Sequence, residues 1–371
     1  MNMKTKHHPL RTILLSLLIL LLRVLFVGFY FTRLQTIQSI EQITDYDDGY
    51  NLYRMNVQYD YSLDRVIAYG ITDNQTMLDA ILKEALPLLP VSMKVPNYGC
   101  TAFTLTDTDG SVHMGRNYDF KRDTSAMLVY CAPKDGYRSV AFAALDNVSA
   151  NIPDESLKKK LATLTAPFIC LDGMNEKGVS IAVLTLDSEP VHQNTGKPTI
   201  ATTLAIRLVL DRAATTEEAV QLLSSYDMFA SSGRDYHFYI TDASGDGRVV
   251  EYDCEKETRP LVATPMEAIT NFYGLYRDKV LPNQRNGIYG HGRERYDAVM
   301  KVLEEQAEGY TNDTVWDALK ASSQEPNPVD ITSNTQWSIA YNNTGLTAEI
   351  VIRRHWDEII SYSLSQNDVT R

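Results

Sequence analysis

The chain has 371 residues, 44% of them hydrophobic and 22% charged, which is ordinary for one large globular domain or two smaller ones. Its formal net charge is −12 and no cluster of Lys and Arg offsets it, which argues against nucleic-acid binding. The four cysteines lie far apart with no CxxC pair, and the seven histidines show no HExxH spacing. We therefore expect no metal and no cofactor.

The N-terminus carries an almost unbroken apolar run from Thr12 to Phe31, preceded by basic residues and followed by aspartates. A run of about 20 residues spans a bilayer core as a helix. The flanking charges place the N-terminus inside and the bulk of the chain outside. A cleaved signal peptide is the alternative, although Val27–Phe31 is bulky and offers no small-residue cleavage site. We predict a cytoplasmic tail (1–11) and an uncleaved transmembrane anchor (12–32).

The next segment, 33–99, is predicted to be a leader or pro-segment that packs on the domain after it. From Leu34 to Thr44 apolar residues recur every three positions, which favours a short amphipathic helix. Asn74 is the candidate N-cap of a second helix, which ends before Pro87. The segment is too short for an independent domain.

From Cys100 onward the pattern changes to strand pairs around helices. Thr101–Thr106 and Val112–Gly115 are joined by turn residues, which predicts a β-hairpin. Two helices are predicted between Ala201 and Tyr226, the second opened by a capping box from Thr215 to Glu218. The other predicted strands are Phe168–Leu171, Val179–Leu184, Tyr236–Thr241, Arg248–Tyr252, Ser338–Tyr341 and Ala348–Ile352. Strand pairs flanking a helix pair predict a layered α+β fold.

Cys100 stands at the start of the first predicted hairpin, with Arg116 and Asp119 near its end. A hairpin brings its last residues back beside its first, so the three side chains can meet. A thiol needs a base or a nearby cation to become a thiolate at neutral pH, and an arginine supplies that cation. The spacing predicts a cysteine nucleophile. A purely structural ion pair between Arg116 and Asp119 is the alternative.

The chain from Cys100 onward resembles the choloylglycine hydrolase and penicillin V acylase family. These proteins are N-terminal-nucleophile hydrolases, with acid ceramidase-like amidases as relatives. The motifs that carry the resemblance, in family order, are Cys100-Thr101, Gly115–Phe120 (GRNYDF), Asp172–Gly178 (DGMNEKG), Ile269–Asn271 (ITN) and Arg295-Tyr296. The resemblance covers Cys100 to about Leu364 and so predicts a catalytic domain over residues 100–364.

The resemblance implies a four-layer αββα sandwich in which Cys100 becomes the first residue of the mature chain. Its sulfur would attack an amide carbonyl, and its freed α-amino group, with a reference pKa of about 7.7 to 8, would shuttle the proton. The other implied site residues are Asp119 to fix the amino group, Arg116 beside the sulfur, Asn271 and the Thr185 backbone N–H for the oxyanion, and Arg295 to stabilise the site. We assign Asp172 no chemistry, because its motif is also a good turn.

Two departures from the family pattern bear on substrate and processing. Thr185 stands where bile-salt hydrolases carry asparagine and some penicillin acylases tyrosine, so the resemblance leaves the substrate open. Many relatives expose their cysteine after losing little more than the initiator methionine, whereas this chain requires a cut at Gly99-Cys100, as ceramidase-like relatives make by self-cleavage. Gly99 suits such a cut because a residue without Cβ tolerates a strained backbone.

The predicted function is hydrolysis of a linear amide of an N-acyl compound through a Cys100 thioester. Candidate substrates are conjugated bile acids, penicillins, N-acyl homoserine lactones and N-acyl amino acids or lipids. Acyl transfer to an amine is a variant of this reaction. The expected partners are this small-molecule amide and, through the N-terminal helix, a membrane. The oligomeric state is left open.

Several alternatives stay open on the sequence alone. A papain-like cysteine peptidase would use Cys100 with His237 or His291. A membrane-anchored binding protein would keep the fold without ever being processed. Within the site, Arg293 is an alternative to Arg295, and Asn271 would otherwise cap a turn. The remaining cysteines, interpreted as core or incidental residues, are Cys131, Cys170 and Cys254.

Overall fold

The computed structural model describes residues 9–87, 99–231, 233–279, 292–329 and 333–370. In chain order the strands are β1 (Glu41–Gln42), β2 (Leu52–Asn56), β3 (Gly99–Thr106), β4 (Val112–Asp119), β5 (Ala126–Cys131), β6 (Ser139–Ala144), β7 (Cys170–Asn175), β8 (Ser180–Leu186), β9 (Thr199–Ala201), β10 (Asp227–Phe229), β11 (Asp235–Thr241), β12 (Arg248–Tyr252), β13 (Leu261–Pro265), β14 (Ala268–Ile269), β15 (Thr335–Asn342), β16 (Thr347–Ile352), β17 (Ile360–Ser363) and β18 (Asp368–Thr370). The α-helices are α1 (Pro9–Gln38), α2 (Leu63–Ala68), α3 (Asn74–Ala85), α4 (Leu157–Ala162), α5 (Thr202–Arg212), α6 (Thr216–Ser224), α7 (Gly292–Glu305) and α8 (Asn312–Ala321).

Two large sheets pack face to face around the main core. One has the strand order β1-β2-β5-β6-β7-β8-β11-β12-β13, and the other has the order β14-β3-β4-β15-β16-β17-β18. Helix α5 packs on β7 and β8 of the first sheet, while α7 and α8 pack on β3, β4, β14 and β15 of the second. This is a four-layer αββα sandwich, and the predicted α+β class is confirmed.

Burial on both faces explains the composition of the central strands. Strands β7 and β8 are buried at every position, because one face meets the second sheet and the other meets α5. A strand covered on both sides loses the alternation of apolar and polar residues. Strand β7 begins at Cys170, later than predicted, because residues 163–168 form a 3-10 helix that contains Pro167.

The described part of the leader, residues 33–87, contributes strands to the sandwich. Strand β2 pairs in parallel with β5, with Leu52 opposite Ala126 and Asn56 opposite Tyr130. The side chains of Leu52 and Met55 are fully buried. The leader therefore supplies two strands, β1 and β2, to the nine-stranded sheet, which its sequence pattern did not indicate.

Two local predictions in the leader were wrong in detail. Helix α1 runs without a break to Gln38, and Glu41–Gln42 then forms β1, so no separate helix spans Leu34–Thr44. Helix α3 is capped by Asp73, not by Asn74. The Asp73 side chain accepts a hydrogen bond from the Thr76 backbone N–H at 2.8 Å, and the Thr76 hydroxyl oxygen accepts one from the Asp73 backbone N–H.

Helix α1 combines an exposed apolar stretch with a packed C-terminal end. From Ile13 it is long and apolar enough to cross a membrane, and its most apolar window makes no buried contact within the chain. Signal sequences share these properties, so anchoring stays a prediction. At the other end Arg33 is buried, and its Nε donates to the carbonyl oxygen of Ala85 at 2.7 Å.

Candidate active site

The β3–β4 hairpin places the predicted nucleophile and its neighbours at one end of the seven-stranded sheet. Gly99 pairs with Asp119, Cys100 with Tyr118, and Ala102 with Arg116. Strand β4 continues past Gly115 to Asp119, so both predicted partners of Cys100 lie within it. Gly99 is the first residue of β3 and is buried.

The Cys100 thiol is completely buried. Burial raises the pKa of the thiol to about 11, while the nearby charge of Arg116 acts in the opposite direction. Hydrogen bonds from the Arg116 side chain and the Asp119 backbone also lower this pKa. The arginine therefore lies beside the sulfur, but in the uncut chain the thiol stays protonated at neutral pH.

Arg295 on α7 joins the site residues to one another. Its Nη1 donates to the carbonyl oxygen of Cys100 at 2.6 Å, to Thr101 Oγ1 at 3.0 Å and to Asp119 Oδ2 at 3.0 Å. Its Nη2 donates to Asn271 Oδ1 at 2.5 Å. By contrast, Arg293 pairs with Asp297 and is 32% exposed. The structure thus brings Arg295, and not Arg293, to Cys100.

Asn271 contacts the peptide bond that is predicted to be cut. The backbone N–H of Cys100 donates to Asn271 Oδ1 at 2.9 Å, and Asn271 Nδ2 donates to the Thr185 carbonyl oxygen at 2.7 Å. Thr185 lies in β8 and is fully buried. The two residues assigned to the oxyanion therefore lie together beside Cys100, Thr185 in β8 of one sheet and Asn271 just after β14 of the other. The alternative interpretation of Asn271 as a turn cap does not account for these contacts.

The Asp119 carboxylate accepts hydrogen bonds from Thr335 and Arg295, while the Cys100 backbone N–H donates to Asn271. Asp119 Oδ1 accepts from Thr335 Oγ1 at 2.6 Å and Asp119 Oδ2 from Arg295. The proposed contact between Asp119 and a free α-amino group would arise only after cleavage.

Asp172 is a site neighbour that the sequence interpretation missed. It lies within β7 rather than in a turn, is fully buried, and accepts from Arg116 Nε at 3.3 Å. Trp337 Nε1 and Tyr341 Oη donate to the same carboxylate at 3.1 and 2.6 Å. Burial raises the pKa of Asp172, and Arg116 opposes that shift. Its position in the family motif was the only available signal.

The histidine required by a papain-like mechanism is not found beside Cys100 in the described residues. His237 is buried between Glu251 and the Thr270 carbonyl oxygen, which occupy both ring nitrogens at 3.2 and 2.9 Å. His291 lies outside the described residues. Cys131 and Cys170 are buried, and Cys254 is partly exposed.

One cavity in the structure lies away from the candidate site residues. A cavity of about 570 Å³ opens at Thr104–Thr106, towards the other end of β3, and includes none of the candidate site residues. Within the described ranges, no three His, Cys, Asp or Glu side chains are grouped to hold a metal ion.

The fold is that of the N-terminal-nucleophile hydrolases. Residues 100–258 match the sequence model of the linear amide C-N hydrolases, choloylglycine hydrolase family, which confirms the resemblance. The match supports amide hydrolysis as the class of reaction. Asn271 and Arg295 lie beyond the matched residues and are brought to the site by the fold.

Solved structures show the same architecture at low sequence identity. A variant of the conjugated bile acid hydrolase from Clostridium perfringens is 15% identical, with a TM-score of 0.51 over 73% of this chain and 95% of that one. A second variant of that hydrolase is 14% identical, with a TM-score of 0.52 over 73% and 96%. Penicillin V acylase from Agrobacterium tumefaciens is 18% identical, with a TM-score of 0.51 over 72% and 87%. No curated protein sequence matches the chain.

Proposed function

We propose that this protein is a cysteine amidase that cuts a linear amide of an N-acyl compound after self-cleavage at Gly99-Cys100. One observation carries the proposal. The Cys100 residue is held on both sides, its backbone N–H by Asn271 and its carbonyl oxygen by Arg295. Such contacts fix the bond to be cut against its own thiol, and proximity of this kind lowers a reaction barrier substantially.

Self-cleavage follows from the position of the sulfur in its own residue. The Cys100 thiolate attacks the Gly99 carbonyl carbon, a C–S bond forms, the C–N bond breaks, and the Cys100 nitrogen takes a proton. The α-amino group of Cys100 is then free, and water hydrolyses the thioester to release the Gly99 carboxylate and the Cys100 thiol. The raised pKa of the thiol makes thiolate formation the demanding part of this step.

The same atoms serve turnover once the α-amine is free. The amine takes the thiol proton, sulfur attacks the substrate carbonyl, and the proton passes to the leaving nitrogen. Asn271 Nδ2 and the Thr185 backbone N–H stabilise the oxyanion, and Arg116 stabilises the thiolate. Asp119 fixes the amine, and Arg295 stabilises the site through its bonds to Asp119 and Asn271. Water releases the acid from the thioester.

The proposed location is a membrane, with the catalytic domain on the extracytoplasmic side. The exposed apolar helix from Ile13 supports anchoring. The substrate is an N-acyl compound such as a conjugated bile acid, a penicillin or an N-acyl amino acid or lipid. The names of the two solved relatives, a bile acid hydrolase and a penicillin acylase, support conjugated bile acids and penicillins as the first compounds to test.

The test uses the full chain in detergent, compared with Cys100→Ala and Cys131→Ala variants. Cys131 is a matched control because its thiol is equally buried but lies in β5, away from Arg295. We expect intact mass and N-terminal sequencing to find a chain that begins at Cys100 in the wild type and in Cys131→Ala, and only uncut protein in Cys100→Ala. Processed protein should release amine from penicillin V or glycine-conjugated cholate. Cleavage in the Cys100→Ala variant would contradict self-cleavage, and a processed chain inactive on all amides would contradict the amidase.

A further inference from the structure

Two buried ionisable residues lie next to the site without a part in the proposed reaction. His237 is on β11 and Glu251 is on β12, and neither side chain exposes any surface. Phe238 pairs with Val250 in antiparallel register, so His237 and Glu251 lie opposite each other on neighbouring strands. His237 Nδ1 and Glu251 Oε1 are 3.2 Å apart.

Both residues reach across the core to the turn that carries Asn271. His237 Nε2 donates to the carbonyl oxygen of Thr270 at 2.9 Å, since a carbonyl can only accept. Glu251 Oε1 accepts from the Gly274 backbone N–H at 2.7 Å, and Oε2 accepts from that of Leu275 at 2.7 Å. The contacts therefore bracket Asn271, one residue before it and three and four residues after it.

These contacts hold the turn firmly because they involve a buried carboxylate. A carboxylate removed from water is stable only when it is paired and hydrogen-bonded, and its bonds to backbone N–H groups are stronger than neutral ones. A shift of the turn would leave Glu251 without its donors. The pair thus joins the nine-stranded sheet to the loop that follows β14 of the other sheet.

We propose that His237 and Glu251 are positioning residues that set the Asn271 amide for oxyanion stabilisation. The inference rests on the proposed function. It is independent of the family motifs, because neither residue lies in them. Oxyanion donors act only at hydrogen-bond distance from where negative charge develops, so a displacement of about 1 Å costs on the order of a hundredfold in rate.

The test compares Glu251→Gln, Glu251→Ala and His237→Gln with Tyr239→Phe in the full chain. Tyr239 is a matched control: it is buried on the same strand β11, and its Oη donates to the carbonyl oxygens of Met266 and Glu267, just outside the turn. The probes are penicillin V and glycine-conjugated cholate. We expect kcat to fall about a hundredfold in Glu251→Ala and about tenfold in Glu251→Gln, which keeps one acceptor, with KM within about threefold of wild type. We expect His237→Gln to lower kcat by about tenfold and Tyr239→Phe to leave kcat unchanged.

A structural role alone would give a different pattern. Folded Glu251→Gln and His237→Gln variants with wild-type kcat, or with only KM raised, would overturn the inference. Equal losses in Tyr239→Phe would overturn it too, because general loosening of β11 would then explain the effect. A processed wild type that is inactive on every amide contradicts the proposed function itself, and the positioning role with it.

Discussion

Arg116 and Asp172 form a fully buried ion pair between the two sheets, with Arg116 Nε 3.3 Å from Asp172 Oδ2. Each would carry an uncompensated charge in the core without the other. We expect Asp172→Ala to lower the free energy of unfolding by about 3 to 5 kcal/mol. Glu176→Ala is the control in the next turn, where a half-exposed pair with Arg138 contributes at most about 1 kcal/mol. Urea unfolding of both Ala variants, made in the Cys100→Ala background, measures the two changes in the free energy of unfolding. Equal losses of stability in the two variants would contradict the prediction.

Arg295 and Arg293 provide a matched pair of substitutions on one helix. Arg295→Gln removes the donors to the Cys100 carbonyl oxygen, Asp119 and Asn271, so we expect self-cleavage to slow by at least about a hundredfold. Arg293→Gln removes only a partly exposed contact with Asp297 and should leave the rate unchanged. The appearance of the Cys100 N-terminus, followed by mass spectrometry, distinguishes the two. The opposite ranking would show that Arg293 acts at the site.

Asn271→Ala should reduce turnover strongly, because one oxyanion donor is worth about 2.7 to 4 kcal/mol of barrier, or roughly a hundredfold to a thousandfold in kcat. The control is Asn343→Ala, whose buried amide donates to the carbonyl oxygen of Gly178 outside the site. That variant should lose stability but keep kcat. Steady-state kinetics on processed protein and thermal melting of both variants provide the comparison. Wild-type kcat in Asn271→Ala would exclude the assigned role.

Self-cleavage should accelerate as the pH rises. Burial raises the pKa of the Cys100 thiol to about 11, so at lower pH the thiol form predominates. Below that pKa the thiolate fraction grows about tenfold for each pH unit. Precursor purified at pH 6 and transferred to buffers between pH 6.5 and 9 should be cut progressively faster. A rate independent of pH over this range would show that thiolate formation does not limit the step.

The leader should remain with the catalytic chain after the cut. Strand β2 pairs with β5 along five residues, and the buried Leu52 and Met55 side chains each contribute about 1.5 to 3 kcal/mol. We expect the chain that begins at Cys100 to stay in the pellet when processed membranes are washed with high salt. It should be released only by denaturant. Mature chain in the wash would show that the leader dissociates.

Local sequence patterns predicted the hairpins of the fold, but they did not predict pairing between strands that are far apart in the sequence. The hairpins β3–β4, β7–β8, β11–β12 and β15–β16 were identified because each joins adjacent strands through a short turn. The pairing of β2 with β5 was missed, since parallel strands about 70 residues apart leave no joint signal in either segment. Helices α7 and α8 were also not predicted.

The same distinction applies to the site. Family motifs identified Cys100, Arg116 and Asn271, whereas Glu251 in the strand Arg248–Tyr252 lies in no motif. Its burial depends on a turn from the other sheet, which no local pattern contains. Asp172 was underestimated for the same reason, because its partners Trp337 and Tyr341 are far away in the sequence.

The place of β2 in the sheet bears on how the enzyme is made. A gene that started at Cys100 would encode the proposed mature N-terminus but would leave the β5 edge, Ala126–Cys131, without its neighbour β2. Uncovered apolar edges of this kind pair with other molecules and aggregate. Recombinant production that keeps the β5 edge paired therefore has to begin upstream of Leu52.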